Sequence, residues 1–117
     1  MMAELQSILK YARVTDAFQS FLETIRRELP RIDEHLVIKI LVHNYIFKEH
    51  PRIRLEIIYA KDVDASDKKE EIYAKSERWG EVREGHILVI DGYLKLEDIE
   101  ELAQDKQIEM IRGEIIF

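Results

Sequence analysis

Two aspartates, Asp62 and Asp64, follow directly on the clearest strand pattern of this 117-residue chain, at the sheet edge where α/β sites usually form. Joined by a histidine, they would offer a divalent cation oxygen and nitrogen ligands, and so the means of a metal-dependent hydrolase or nuclease. His43 and His50 are seven positions apart and share a face if their segment is helical. A cation site needs three or four converging donors, and no diagnostic spacing such as H-E-x-x-H gathers them. Glu56 with Lys61 and Asp62 offers a second set. Nucleases that pair a carboxylate with a lysine place the two residues two apart on a strand, so that both reach one phosphate. Glu56 and Lys61 are five apart and point to opposite faces. Asp91-Gly92 follows an apolar run, as in metal-dependent phosphotransfer sites, but the second acidic motif such sites need is missing.

The four glycines, Gly80, Gly85, Gly92 and Gly113, are isolated, so no glycine-rich loop can cradle a phosphate. The four serines and four histidines form no G-x-S-x-G context. With no cysteine, thiolate nucleophiles, thiolate metal sites and disulfides are all excluded, which suits a reducing compartment. No catalytic residue, cofactor-binding residue or metal ligand is assigned, and the reading leans away from an enzyme.

Two small basic clusters, Lys48/His50/Arg52/Arg54 and Arg26/Arg27/Arg31, raise nucleic-acid binding. If residues 33–49 are helical, the N-terminal helices and the following strand could act as a winged-helix reader. Phosphate contacts need several cations acting together, so nucleic acid is the second choice of partner. Charge is lopsided: residues 1–61 carry 10 Lys and Arg against 8 Asp and Glu, and residues 62–117 carry 8 against 16, which together give the net charge of −6. An acidic half of this kind repels phosphates and is suited to a basic protein partner.

The elements that position these residues follow from periodicity. Leu5, Ile8, Leu9 and Ala12 recur at helical spacing, and so do Phe18, Phe21, Leu22, Ile25 and Leu29. Between the two sets, Thr15 and Asp16 can cap a helix, so the segment reads as two helices or one kinked helix ended by Pro30. Its apolar face is wide enough to pack on a sheet. Residues 36–47 read two ways. As a strand, Leu36, Ile38, Ile40, Val42 and Ile46 make one apolar face, and Lys48 to Pro51 close a hairpin. As a helix, Asp33 is the N-cap, Ile32 and Val37 form a hydrophobic staple, and His35, Lys39, His43 and His50 gather on one side of an otherwise apolar cylinder. The β-branched content favours the strand.

Arg52–Tyr59 alternates as a strand exposed on one face. Asp64 or Ser66 should cap a charged, little-buried helix running to Trp79, with the thin apolar stripe Ala65, Ile72 and Trp79 and with Gly80 just past its end. Strand, helix and strand then follow: Ile87–Ile90, a helix marked by Ile99, Leu102 and Ala103, and Ile108–Phe117. That order predicts parallel pairing through a crossover, with the apolar C-terminus built into the sheet. Val89–Leu96 and Met110–Phe117 share one pattern 21 residues apart, which reads as two neighbouring strands with glycines at matching places.

The expected whole is a single α+β (or α/β) domain, residues 1–117, with a small mixed sheet covered by helices. At 46% hydrophobic residues and 14.0 kDa it can support its own core. The N-terminus lacks the basic and apolar regions of a signal peptide, and the longest apolar stretch is too short to span a bilayer. A cytoplasmic location with no membrane partner is the expectation. The 36% charged content, with Asn44 the sole asparagine, is common in proteins from hot environments. The function expected is a non-enzymatic protein–protein interaction or regulatory domain that self-associates as a homodimer, because exposed strand edges and apolar ends need cover.

Overall fold

The computed structural model describes residues 2–117. They fall into two compact units, one up to Pro30 and one from Arg31 to Phe117. The first unit is one helix, α1 (Met2–Glu28). The break expected at Thr15 and Asp16 is absent. No glycine or proline interrupts residues 2–28, and two mid-helix polar residues cost only about 0.5 kcal/mol each. What changes there is the apolar face. At 3.6 residues per turn, Leu5, Ile8, Leu9 and Ala12 lie roughly 140° around the helix from Tyr11, Val14, Phe18, Phe21, Leu22 and Ile25. Only Leu22 and Ile25 of α1 are buried.

The second unit opens with α2 (Glu34–Phe47), β1 (Arg52–Tyr59), a 3-10 turn at Ala65–Lys68 and α3 (Lys69–Ser76). It continues with β2 (Glu81–Arg83), β3 (Ile87–Tyr93), α4 (Leu96–Leu102) and β4 (Ile108–Ile115). The strand order is β2-β3-β1-β4 and every pairing between strands is antiparallel. This β-α-β-β-α-β connectivity, with each crossover skipping one strand, is the ferredoxin-like pattern. The α+β class is therefore the one observed, but the sheet is antiparallel rather than mixed. β3 and β4 do not pair with each other. Each lies against β1, so the strand–helix–strand order is a split crossover.

The two repeated glycines are accordingly one strand removed from each other, opposite Ile53 and Leu55 of β1. Gly113 is a true close approach: a Cβ there would stand 2.5 Å from the Arg54 carbonyl oxygen. Gly85 has a different reason. With Glu84 it turns the β2–β3 hairpin through the left-handed region, at φ +78° and 54°.

Residues 36–47 are helical, not a strand, and no hairpin joins them to β1. The Asp33 carboxylate accepts from the His35 N–H at 3.4 Å, and the Lys48 N–H donates to the Asn44 carbonyl at 2.9 Å in a left-handed cap. Helical spacing puts Leu36, Val37 and Ile40 into the core together, and the caps outweigh the weak strand propensity of the β-branched residues. A one-residue parallel bridge, Ile32 to Ile111, pins the start of α2 to β4. There the Asp33 N–H donates to the Ile111 carbonyl at 2.8 Å and the Ile111 N–H to the Arg31 carbonyl at 2.7 Å. Arg31 also donates to the carbonyls of Ala103 and Asp105, at 3.1 and 2.8 Å.

The core lies on one face of the sheet. Ile53, Leu55, Ile57 and Tyr59 of β1 are fully buried, along with Leu88, Ile90, Ile99, Leu102, Ile108 and Ile111. Asp64 caps the 3-10 turn, accepting from the Ser66 N–H at 2.9 Å. α3 contributes only Ile72 to the core and ends at Glu77 in a left-handed cap, three residues before Gly80. The expected third member of its stripe, Trp79, is exposed and stacks on Tyr73 with ring centroids 4.6 Å apart. At the C-terminus the sheet takes in Ile115, and the Ile116 N–H still reaches the Arg52 carbonyl at 2.8 Å, but Phe117 is 97% exposed.

Candidate interaction surfaces

The outer sheet face can be read row by row from the strand register. Arg52 stands opposite Tyr93, and Asp91, Arg54 and Glu114 make the next row. Glu81, Val89, Glu56 and Arg112 make the third, and Arg83, Ile87, Ile58 and Met110 the fourth. The face thus interleaves arginines with carboxylates. Arg52 donates to Asp91 at 2.8 Å, with Arg54 at 3.9 Å from the same carboxylate. Arg112 donates to Glu56 at 2.6 Å, and Arg83 stands 4.0 Å away. Asp91 holds the Arg52 guanidinium above its ordinary pKa through their hydrogen bond and charge.

This geometry places the nucleic-acid candidates. Residues 33–49 are helical, as that reading requires, but Arg52 and Arg54 lie on a strand and face Asp91. Four arginines and four carboxylates alternate there, which gives no continuous cationic track for a phosphate backbone. Arg26 and Arg27 lie in the last turn of α1, while Arg31 is occupied by backbone carbonyls of the α4–β4 loop.

The metal candidates are dispersed. Asp62 and Asp64 line a shallow depression of about 370 Å³ with Asp67, Glu71 and Lys68. His43 and His50 come from α2 and the loop after it. Among the described residues, no three histidine or carboxylate side chains stand where one metal ion could join them. Glu56 sits on the outer sheet face bonded to Arg112, while Lys61 is in the turn after β1. Lys68 bridges to Asp105 at 3.0 Å and lies over the Tyr59 ring at 5.7 Å. Burial pushes the Asp105 carboxyl up, but the Gln107 N–H and the Lys68 ammonium together hold it below the ordinary value. The Tyr59 hydroxyl is raised by burial first and by the Asp105 and Glu71 charges second. These groups tie the unit together.

Apolar surface is the outstanding feature. On α1, Leu5, Ile8, Leu9, Tyr11, Val14, Phe18 and Phe21 are between 41% and 70% exposed. On α2 the core-facing half ends at Ile40, and Leu41, Val42, Tyr45, Ile46 and Phe47 are exposed. α2 is apolar over most of its circumference, as an interior helix is, but it faces a core on one side only. Between its outer side and the end of β4 runs an apolar groove of about 590 Å³, walled by Ile38, Val42, Ile46 and Phe47 opposite Ile115 and Phe117. His43 lies in it, its ring 4.6 Å from Phe47 and its Nε2 buried without a hydrogen-bond partner, 3.9 Å from the Glu49 carboxylate.

Both patches leave a trace in the sequence: the helical apolar periodicity of α1, and an apolar content in α2 that exceeds what one buried face needs. Among the described residues, no helix is long and apolar enough to cross a membrane. Compared with known proteins, the chain matches no family model, no curated protein and no solved structure.

Proposed function

We propose that this chain is a non-enzymatic protein–protein interaction module that self-associates as a homodimer. The observation that carries this reading is the exposed apolar surface of α1. Seven side chains that ordinarily seek an interior stand in solvent along five turns of one helix. Of these, Tyr11, Val14, Phe18 and Phe21 share one face and expose on the order of 500 Å² there, the upper end of what a monomer's largest patch usually shows. A standard interface takes about 800 Å² from each partner, and the exposed end of α2 makes up the difference. At about 25 cal/mol per Å², covering such a face supplies enough free energy to offset the entropy of association.

Two-fold pairing is the commonest way for one chain to hide one patch, because the same surface serves on both copies. The test is sedimentation equilibrium on the unmodified chain and on the double variant Phe18→Ser, Phe21→Ser. The parent should show a mass near twice 14.0 kDa at micromolar concentration, and the variant should remain at the single mass. A parent of single mass at every concentration overturns the proposal.

A further inference from the structure

The groove beside α2 and the stripe on α1 have matching dimensions, and we infer that the groove seats α1 of the second copy. The dimer is then held by two reciprocal helix-in-groove contacts. This inference rests on the self-association proposed above and names its geometry. Helix-in-groove recognition uses apolar anchors at i, i+3 or i+4, and i+7 laid along a hydrophobic channel. Val14, Phe18 and Phe21 have that spacing and cover about 10 Å of helix. The groove wall from Ile38 through Val42 to Ile46 rises by about 12 Å. Both surfaces are open: Val14, Phe18, Val42 and Ile46 are 60%, 52%, 50% and 60% exposed.

One chain therefore carries an apolar ridge and an apolar channel of similar length, with exposed side chains on both. Two such contacts would cover the Val14–Phe21 ridges and the channels of both copies, whereas a pairing of α1 with α1 would leave both channels open. The one polar atom buried in the channel, Nε2 of His43, has no hydrogen-bond partner, with the Glu49 carboxylate 3.9 Å away. Leaving such an atom unsatisfied costs about 1–3 kcal/mol. On an incoming α1, Thr15 follows directly on Val14 and brings a hydroxyl donor to the edge of the contact.

Reciprocity gives a sharp test in sedimentation velocity. Val42→Glu spoils the channel and Phe18→Glu spoils the ridge. Each variant alone should lose both contacts, and its dimerisation should weaken by at least 100-fold. Mixed in equal amounts, the two variants restore one intact contact, the ridge of one with the channel of the other. They should then form a heterodimer where neither forms a homodimer. Ile46→Glu serves as a second channel variant, and each variant should keep the parent's far-UV circular dichroism spectrum, since all three positions are exposed in the single chain. Should Val42→Glu and Ile46→Glu dimerise as the parent does while Phe18→Glu does not, the groove assignment is overturned and self-association stands. Should the parent itself be monomeric, both fall together.

Discussion

The Lys68–Asp105 pair shows how single residues hold this unit together. It joins the 3-10 turn before α3 to the loop after α4, with both side chains largely out of solvent. Asp105→Asn should lower the free energy of unfolding by about 1–3 kcal/mol at pH 7, as measured by urea titration. Because the Asp105 pKa is depressed in the folded chain, its contribution is present above the unfolded value of about 3.9 and is lost as pH falls through the folded one. Parent and variant stabilities should therefore converge below about pH 4. At the alkaline end, Asp105 raises the Lys68 pKa through their hydrogen bond. The contribution of Lys68 is complete below its ordinary value and fades only as pH climbs through the raised one. Nearby, the Tyr59 hydroxyl is buried with no hydrogen-bond partner. Tyr59→Phe removes an unsatisfied group without opening a cavity, so its stability should equal or exceed the parent's by up to about 1 kcal/mol. Gly113→Ala should cost about 1–3 kcal/mol, because its methyl meets the Arg54 carbonyl and not a movable side chain.

At the scale of elements, what could be read from the sequence was what depends on local alternation and capping. β1 is legible in Arg52–Tyr59 because one face of the sheet is open and its even positions are mostly charged. The Asp64 cap and the short α4 are legible for similar local reasons. α2 was misjudged because its β-branched residues satisfy both periodicities, and the decision rests on the Asp33 cap and the Ile32–Ile111 bridge. The bridge is a long-range contact and leaves no local trace. β2, three residues long, is also invisible without its partner β3. The cap argument has a direct check: Asp33→Ala should destabilise the chain by about 1 kcal/mol, while Leu36→Ala in the buried half of α2 should cost about 2–5 kcal/mol. If Leu36→Ala proves neutral, the burial described for α2 is wrong.

At the scale of the whole molecule, the candidate donor residues do not converge among the described residues, and exposed apolar side chains are the larger feature. Asp62 and Asp64 line one depression after β1, but His43 and His50 belong to α2 and the loop after it. Arg52 and Arg54, suspected of meeting phosphate, meet Asp91. The apolar residues of α1 and the end of α2 were treated as core, and their exposure is the property from which self-association is argued. Periodicity identified them as one-sided, but it does not say whether the covering surface belongs to the same chain or to another. The most direct test is isotope-filtered NMR on an equimolar mixture of carbon-13-labelled and unlabelled chains. Self-association through these faces requires proton contacts from the labelled methyls of Val14, Val42 and Ile46 to an unlabelled copy. Methyls that show contacts only within their own chain, at concentrations up to the millimolar range, would contradict it.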